Sequence, residues 1–228
     1  MNNLALTINL ATAPSSAFGE LRERPRFWFP LLLLVACTAG VIAWYYSIVD
    51  IDWLKEQMFG NNPGLSDQER AVAMGMMNRT TLLWGSVVGA IFITPIFLLV
   101  AALILWLAAR VTKVPQGFKH WFALACWASL ASLLSLIVSA ILLLLSDSPQ
   151  ISPGVMQPLS LDELLFHRPV GSPGQSVLAA LGVPSLLTWF LMIVGVHTWS
   201  QRSWTFSAAF VLVPLVVIYG LWAFFAFR

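Results

Sequence analysis

Two long apolar stretches, residues 82–109 and 121–145, are joined by a short basic link at 110–120. Each exceeds the roughly 20 residues that cover a bilayer's hydrocarbon core. The link is long enough to turn the chain back and little more, so the pair predicts a membrane hairpin. Three further apolar segments predict spans at 27–49, 176–198 and 205–227. The expected class is all-α: a polytopic integral membrane protein of five transmembrane helices with short interfacial helices between them.

The polar stretches refine this layout. Residues 1–26 read as a cytoplasmic leader ahead of a transmembrane domain at 27–228. Within the leader, Thr12-Ala13-Pro14 is a helix-start signal, because Thr caps well and Pro is tolerated in a first turn. Phe18 and Leu21 fall on one side of that helix, among Glu20, Arg22, Glu23 and Arg24. Such a helix either lies on the membrane surface or is a charged lead-in that orients the first span. Aromatic clusters, Phe27-Trp28-Phe29 and Trp44-Tyr45-Tyr46, bracket that span.

The loop at 50–81 carries a turn signal, Asn61-Asn62-Pro63-Gly64, and a capping box from Ser66 to Glu69. The helix it opens is expected to run straight into the second span. The loop at 146–175 holds five prolines and a second capping box, Ser160 to Glu163. It predicts one short interfacial helix at 161–166, stopped by Pro169. Pro184 and Pro214 lie within the fourth and fifth spans, where neighbouring helices tolerate the bend.

Composition agrees with the pattern. The chain is 59% hydrophobic and 10% charged, against about 25% charged in soluble domains. Eleven tryptophans suit interfacial belts. The net charge of +2 is too small to suggest nucleic acid. Cys37 and Cys126 both fall in apolar spans and read as packing residues rather than a disulfide pair. The first dozen residues lack the positive n-region of a signal peptide.

Charge distribution sets the orientation. The leader and the two links on its side hold seven cations against two acids, a net +5; the opposite side holds five against eight, a net −3. The positive-inside rule then puts the N-terminus in the cytoplasm and the C-terminus outside.

No Asp, Glu, Lys, Arg or His lies in the middle of a predicted span. Ion- and proton-coupled transporters use such groups, so the pattern argues against that class. His120, His167 and His197 lie at span ends or in a loop, without metal-ligand spacing. Asn78-Arg79-Thr80 matches a glycosylation acceptor but lies almost at the membrane. Asp147, Asp162 and Glu163 read as caps and helix starts, or as acids that meet Asp50 and Asp52 near the interface. No catalytic set, cofactor site or metal site is expected.

Two small-residue patterns remain. Gly85-Ser86-Val87-Val88-Gly89 is a GxxxG, which lets helix backbones approach within the chain or between copies. Ser129, Ser132, Ser135 and Ser139 cluster on one face of the third span, and Gly182, Ser185 and Thr188 repeat the pattern in the fourth. The serines either bond to their own helix in a packed contact or line a polar groove. The partners these patterns admit are membrane lipids and a second copy of the chain; no protein partner is named by them.

Local motifs add a family resemblance. The leader Pro14-Ser15-Ser16-Ala17-Phe18-Gly19-Glu20-Leu21-Arg22-Glu23-Arg24-Pro25 and the stretch Gln116-Gly117-Phe118-Lys119-His120 resemble patterns of the Yip1-domain family. The spacing of the last two spans, with Ala208-Ala209 and Pro214, is similar as well. The compact form looks like the prokaryotic branch. The resemblance implies a five-helix Yip1-like domain and a non-enzymatic membrane scaffold or membrane-organising protein acting through helix contacts. The alternative is a passive conduit or lipid-handling protein that uses the serine face. The two part on whether Ser132 and Ser135 line a groove or pack against a helix.

Overall fold

The computed structural model describes residues 2–60 and 66–228, and they form an all-α architecture. Two short helices lead, α1 (Asn3–Thr12) and α2 (Pro14–Glu23), followed by the first long helix α3 (Trp28–Ile48). A turn of helix α4 (Ile51–Lys55) and α5 (Asp67–Met76) precede the long α6 (Arg79–Thr112). The third span is α7 (Phe118–Ala128), a 3₁₀ turn (Ser129–Ser132) and α8 (Leu133–Leu144). Then come α9 (Gln175–Ala180), α10 (Val183–Ser200) and α11 (Trp204–Ala226). Five of these stretches are long and apolar enough to cross a membrane, as the hydropathy pattern predicts.

Several local expectations change. Ser66 and Glu69 form their capping box, and those bonds hold the Glu69 carboxyl below the usual carboxylate range. The helix they open does not run into the second span. It ends at Met77, whose backbone is extended, and the Asn78 side chain caps a new helix by accepting from Thr81 N at 2.9 Å. The turn at 61–64 lies outside the described residues. The fourth span starts later than 176, because the chain breaks between α9 and α10 at Gly182. The second capping box is half made: Ser160 Oγ accepts from Glu163 N at 3.2 Å, and the helical turn Asp162–Phe166 is π-type, closed by His167 in the left-handed region. The Glu163 carboxylate lies against Gly154 instead, where a Cβ has no room.

The largest difference is the leader. It is two helices, and neither lies free on a surface. Asn2 caps α1, which sends Leu6 and Leu10 inward, one turn apart. Ala17, Phe18 and Leu21 of α2 are fully buried among α7 and α10. Burying each large apolar side chain is worth about 1.5–3 kcal/mol, so the leader is held as part of the core. α7 lies at the centre of this end, touching α2, α3, α6 and α10, and every residue from Trp121 to Ala128 is buried.

Side-chain donors tie this end together. The Trp199 indole donates to the Phe18 carbonyl at 2.7 Å, and the Trp127 indole donates to the Arg26 carbonyl at 2.6 Å. His120 Nε2 lies 3.1 Å from the Arg22 carbonyl, which only accepts, so that nitrogen carries the proton. Arg22 is in the last turn of α2, where carbonyls lack a helical partner. Trp121 stacks on Phe210 and meets the Trp199 ring edge-on.

The other end is built by the same means. Arg79 donates to the carbonyls of Tyr46, Ser47 and Val49 at 2.7–2.8 Å, closing the C-terminus of α3. Tyr45 donates its hydroxyl to the Ile151 carbonyl at 2.9 Å, inside a smaller core with Val49, Leu54 and Leu143. Trp199→Phe keeps the ring but removes the donor to Phe18. The expected result is a loss of about 1 kcal/mol, read as a lower melting temperature in detergent, with faster tryptic cleavage at Arg22.

Candidate functional site

Between the two tight ends the helices part. The 3₁₀ turn Ser129–Ser132 interrupts the third span where α7 leaves the packed centre. A 3₁₀ turn repeats every three residues, so Ser129 and Ser132 come into line. Both face a cavity of about 680 Å³, as does Ser135. The far wall is the start of α10, with Gly182, Ser185 and Thr188, so the two small-residue faces look at each other across open space. Thr38 of α3 and Thr94 of α6 add hydroxyls, and Trp189, Tyr219 and Trp222 add aromatic surface.

The cavity opens sideways. Phe97 and Val100 of α6 and Ile218 and Trp222 of α11 line it and are also exposed. The opening therefore lies between α6 and α11, on the belt that faces lipid. Each of those helices contains an internal proline, Pro95 and Pro214. Proline has no N–H, so the carbonyls of Ile91 and Phe210 lose their helical donors and the helices are softened there. At the loop end the cavity is closed by Met156, Gln157, Ser160 and the stretch from Ala179 to Gly182. Gly182 pairs with Ser160 in an isolated antiparallel bridge, and Val183 N donates to the Leu159 carbonyl at 3.0 Å.

The remaining residues singled out in the sequence are placed elsewhere. Ser139 is buried outside the cavity, and its hydroxyl donates to the Ser135 carbonyl at 2.8 Å. Gly85 has no neighbour within 4 Å of a modest side chain's first atom, and Gly89 has one on its own helix, Ile93. That face of α6 points outward. Asp50 caps α4 and its N–H donates to the Pro149 carbonyl at 2.7 Å, Asp52 pairs with Lys55, and Asp162 accepts from Gln175 Nε2 at 3.2 Å, so each of these acids has its own structural partner. His197 stacks on Trp204 with ring centres 3.9 Å apart. Among the described residues no group of three His, Cys, Asp or Glu is arranged to hold a metal. Both cysteines are free thiols.

Thr38, Thr94 and Tyr219 were not singled out by periodicity. Their signal in the sequence is a hydroxyl flanked on both sides by apolar residues within a span. Gly182→Ala tests the closed end: its Cβ would collide with the Leu159 carbonyl oxygen and Ser160 Cα, which are backbone and cannot swing aside. A destabilisation of about 1–3 kcal/mol is expected from such overpacking, measured by thermal denaturation of the purified protein.

Comparison with known proteins bears on the whole chain. A family model for the Yip1 domain matches residues 8–225. The chain is also similar to a protein of Bacillus subtilis (strain 168) called "Membrane protein YknW", 28% identical over 217 residues, which cover 93% of this chain and 87% of that one. No solved structure matches.

Proposed function

The chain belongs to the Yip1 domain family of membrane proteins, and on that premise we propose that it is a non-enzymatic lipid-handling protein, whose cavity between the spans takes in a lipid from the surrounding bilayer. The observation that carries this is the serine-lined space itself. Ser129, Ser132 and Ser135 line open volume, although the 3₁₀ turn that carries the first two also packs against α10. That volume lies within the roughly 300–1,000 Å³ usual for small-molecule sites. Its opening faces the membrane belt between α6 and α11, so a guest enters from lipid without crossing water. The lining is mostly apolar with a few convergent hydroxyls, as an amphiphile requires.

The charge asymmetry supports an orientation with the N-terminus in the cytoplasm, the C-terminus outside and the protein in a bacterial inner membrane. The leader and the links at 113–117 and 201–203 then form the cytoplasmic end. A second reading, a membrane-organising scaffold acting through helix contacts, draws on a different surface. Gly85 and Gly89 lie on a part of α6 that no other helix of the chain covers, which leaves it available to a second copy.

Two experiments separate these roles. In reconstituted vesicles, Ser132→Leu fills the cavity and removes a hydroxyl. A several-fold fall in lipid retained by the purified protein, or in labelled-lipid flux, is expected; retention and flux both equal to wild type remove the lipid-handling reading. For the scaffold, Gly85→Leu with Gly89→Leu should lower the dimer fraction captured by cross-linking in membranes. An unchanged fraction removes self-association through this face.

A further inference from the structure

Resting on the lipid-handling reading above, we propose that the cavity selects an uncharged lipid bearing hydroxyl or carbonyl oxygens, such as a diacylglycerol or a prenol, over a phospholipid. The first argument is electrostatic. The chain carries 12 Lys and Arg, 10 Asp and Glu and 3 His, and among the described residues none of these lines the cavity. A phosphate brought into this apolar space would give up its water with no cation to meet it, and burial of an unpaired charge is heavily disfavoured. A positively charged headgroup meets the same difficulty, with no carboxylate present to receive it.

The second argument is a contrast within the protein. Serine and threonine on a helix in an apolar setting commonly turn back to the carbonyl one turn earlier. Thr7, Thr12, Thr112 and Thr198 do so here, at 2.8–3.1 Å. Ser132, Ser139 and Ser185 are likewise bonded to backbone. The hydroxyls of Thr38, Thr94, Ser129, Ser135 and Thr188 make no such bond, and all five line the same cavity; Ser86 on α6 and Ser172 in the loop at 146–175 are also unbonded but lie outside it. The five come from four different spans, so no single helix's geometry accounts for the set. Each is both donor and acceptor, and together they match a guest whose polar part is neutral oxygen and whose remainder is hydrocarbon.

The test uses the full-length protein in detergent or nanodiscs. The probes are dioleoylglycerol, farnesol, phosphatidylcholine and phosphatidylglycerol, with binding read by native mass spectrometry and by thermal shift. The key variant removes all five free hydroxyls at nearly constant volume: Thr38→Val, Thr94→Val, Ser129→Ala, Ser135→Ala and Thr188→Val. Either neutral probe, or both, should bind wild type at least tenfold tighter than either phospholipid, and the one bound identifies a glycerolipid or an isoprenoid source. The variant should lose at least tenfold of that affinity while its melting temperature stays near that of wild type, since none of the five hydroxyls bonds to another part of the protein. If the variant is too unstable to purify, Ser135→Ala with Thr94→Val serves instead, with the same direction of effect. Phospholipid binding that equals neutral-lipid binding and is lost in Ser132→Leu overturns the selectivity but leaves the lipid-handling reading intact. Neutral-lipid binding indifferent to the hydroxyls also overturns it. Binding of no probe overturns both.

Discussion

A single indole N–H, from Trp199 to the Phe18 carbonyl, joins the last third of the chain to its first twentieth residue or so. It belongs to a wider constraint. Within a bilayer there is no water to satisfy a helix end, so the protein must supply donors itself. His120 and Arg79 close the ends of α2 and α3 in this way, while Trp199, Trp127 and Tyr45 donate to carbonyls within α2, in the link after it and in the loop at 146–175. Each donor comes from a different element than its acceptor, so every one of these bonds also fastens two parts of the chain together. The ends of the bundle are therefore its most tightly specified parts.

The middle follows from what the ends allow. With both ends fastened, the spans need not be packed against one another along their whole length. Serine, threonine and glycine, being small, leave volume where α8 and α10 face each other. α6 and α11 each carry a proline at mid-membrane depth and have the opening between them. A bundle that is tight at its rims and roomy at its waist fits the proposed role of hosting a guest from the membrane. Among the described residues no Asp, Glu, Lys, Arg or His lines the cavity.

Much of the fold is legible in the sequence because hydrocarbon thickness is a strict ruler. Four of the five spans start and stop within a few residues of the apolar runs, and the fourth is trimmed where Gly182 breaks the helix. The serine face was legible by helical periodicity, but Ser139 was carried along with it. Ser139 lies one helical turn beyond Ser135, past the end of the cavity, and is buried in packing there. The leader was the hardest part to read. Leu6 and Leu10 are spaced for burial, yet a short segment dotted with polar residues shows nothing of the partner it will meet. The contacts of Trp199 and Arg79 span 181 and up to 33 positions, so no local pattern contains them. The free hydroxyls of Thr38 and Thr94 become meaningful once three other spans stand around them.

The buried leader has a consequence for biogenesis. α2 is synthesised about 170 residues before α10, against which it packs, at the low tens of residues per second or slower typical of translation. For that interval Phe18 and Leu21 have α7 to meet but lack the wall that α10 provides. Assembly is thus vectorial in synthesis but circular in closure: an early helix is sealed in place when the penultimate span arrives.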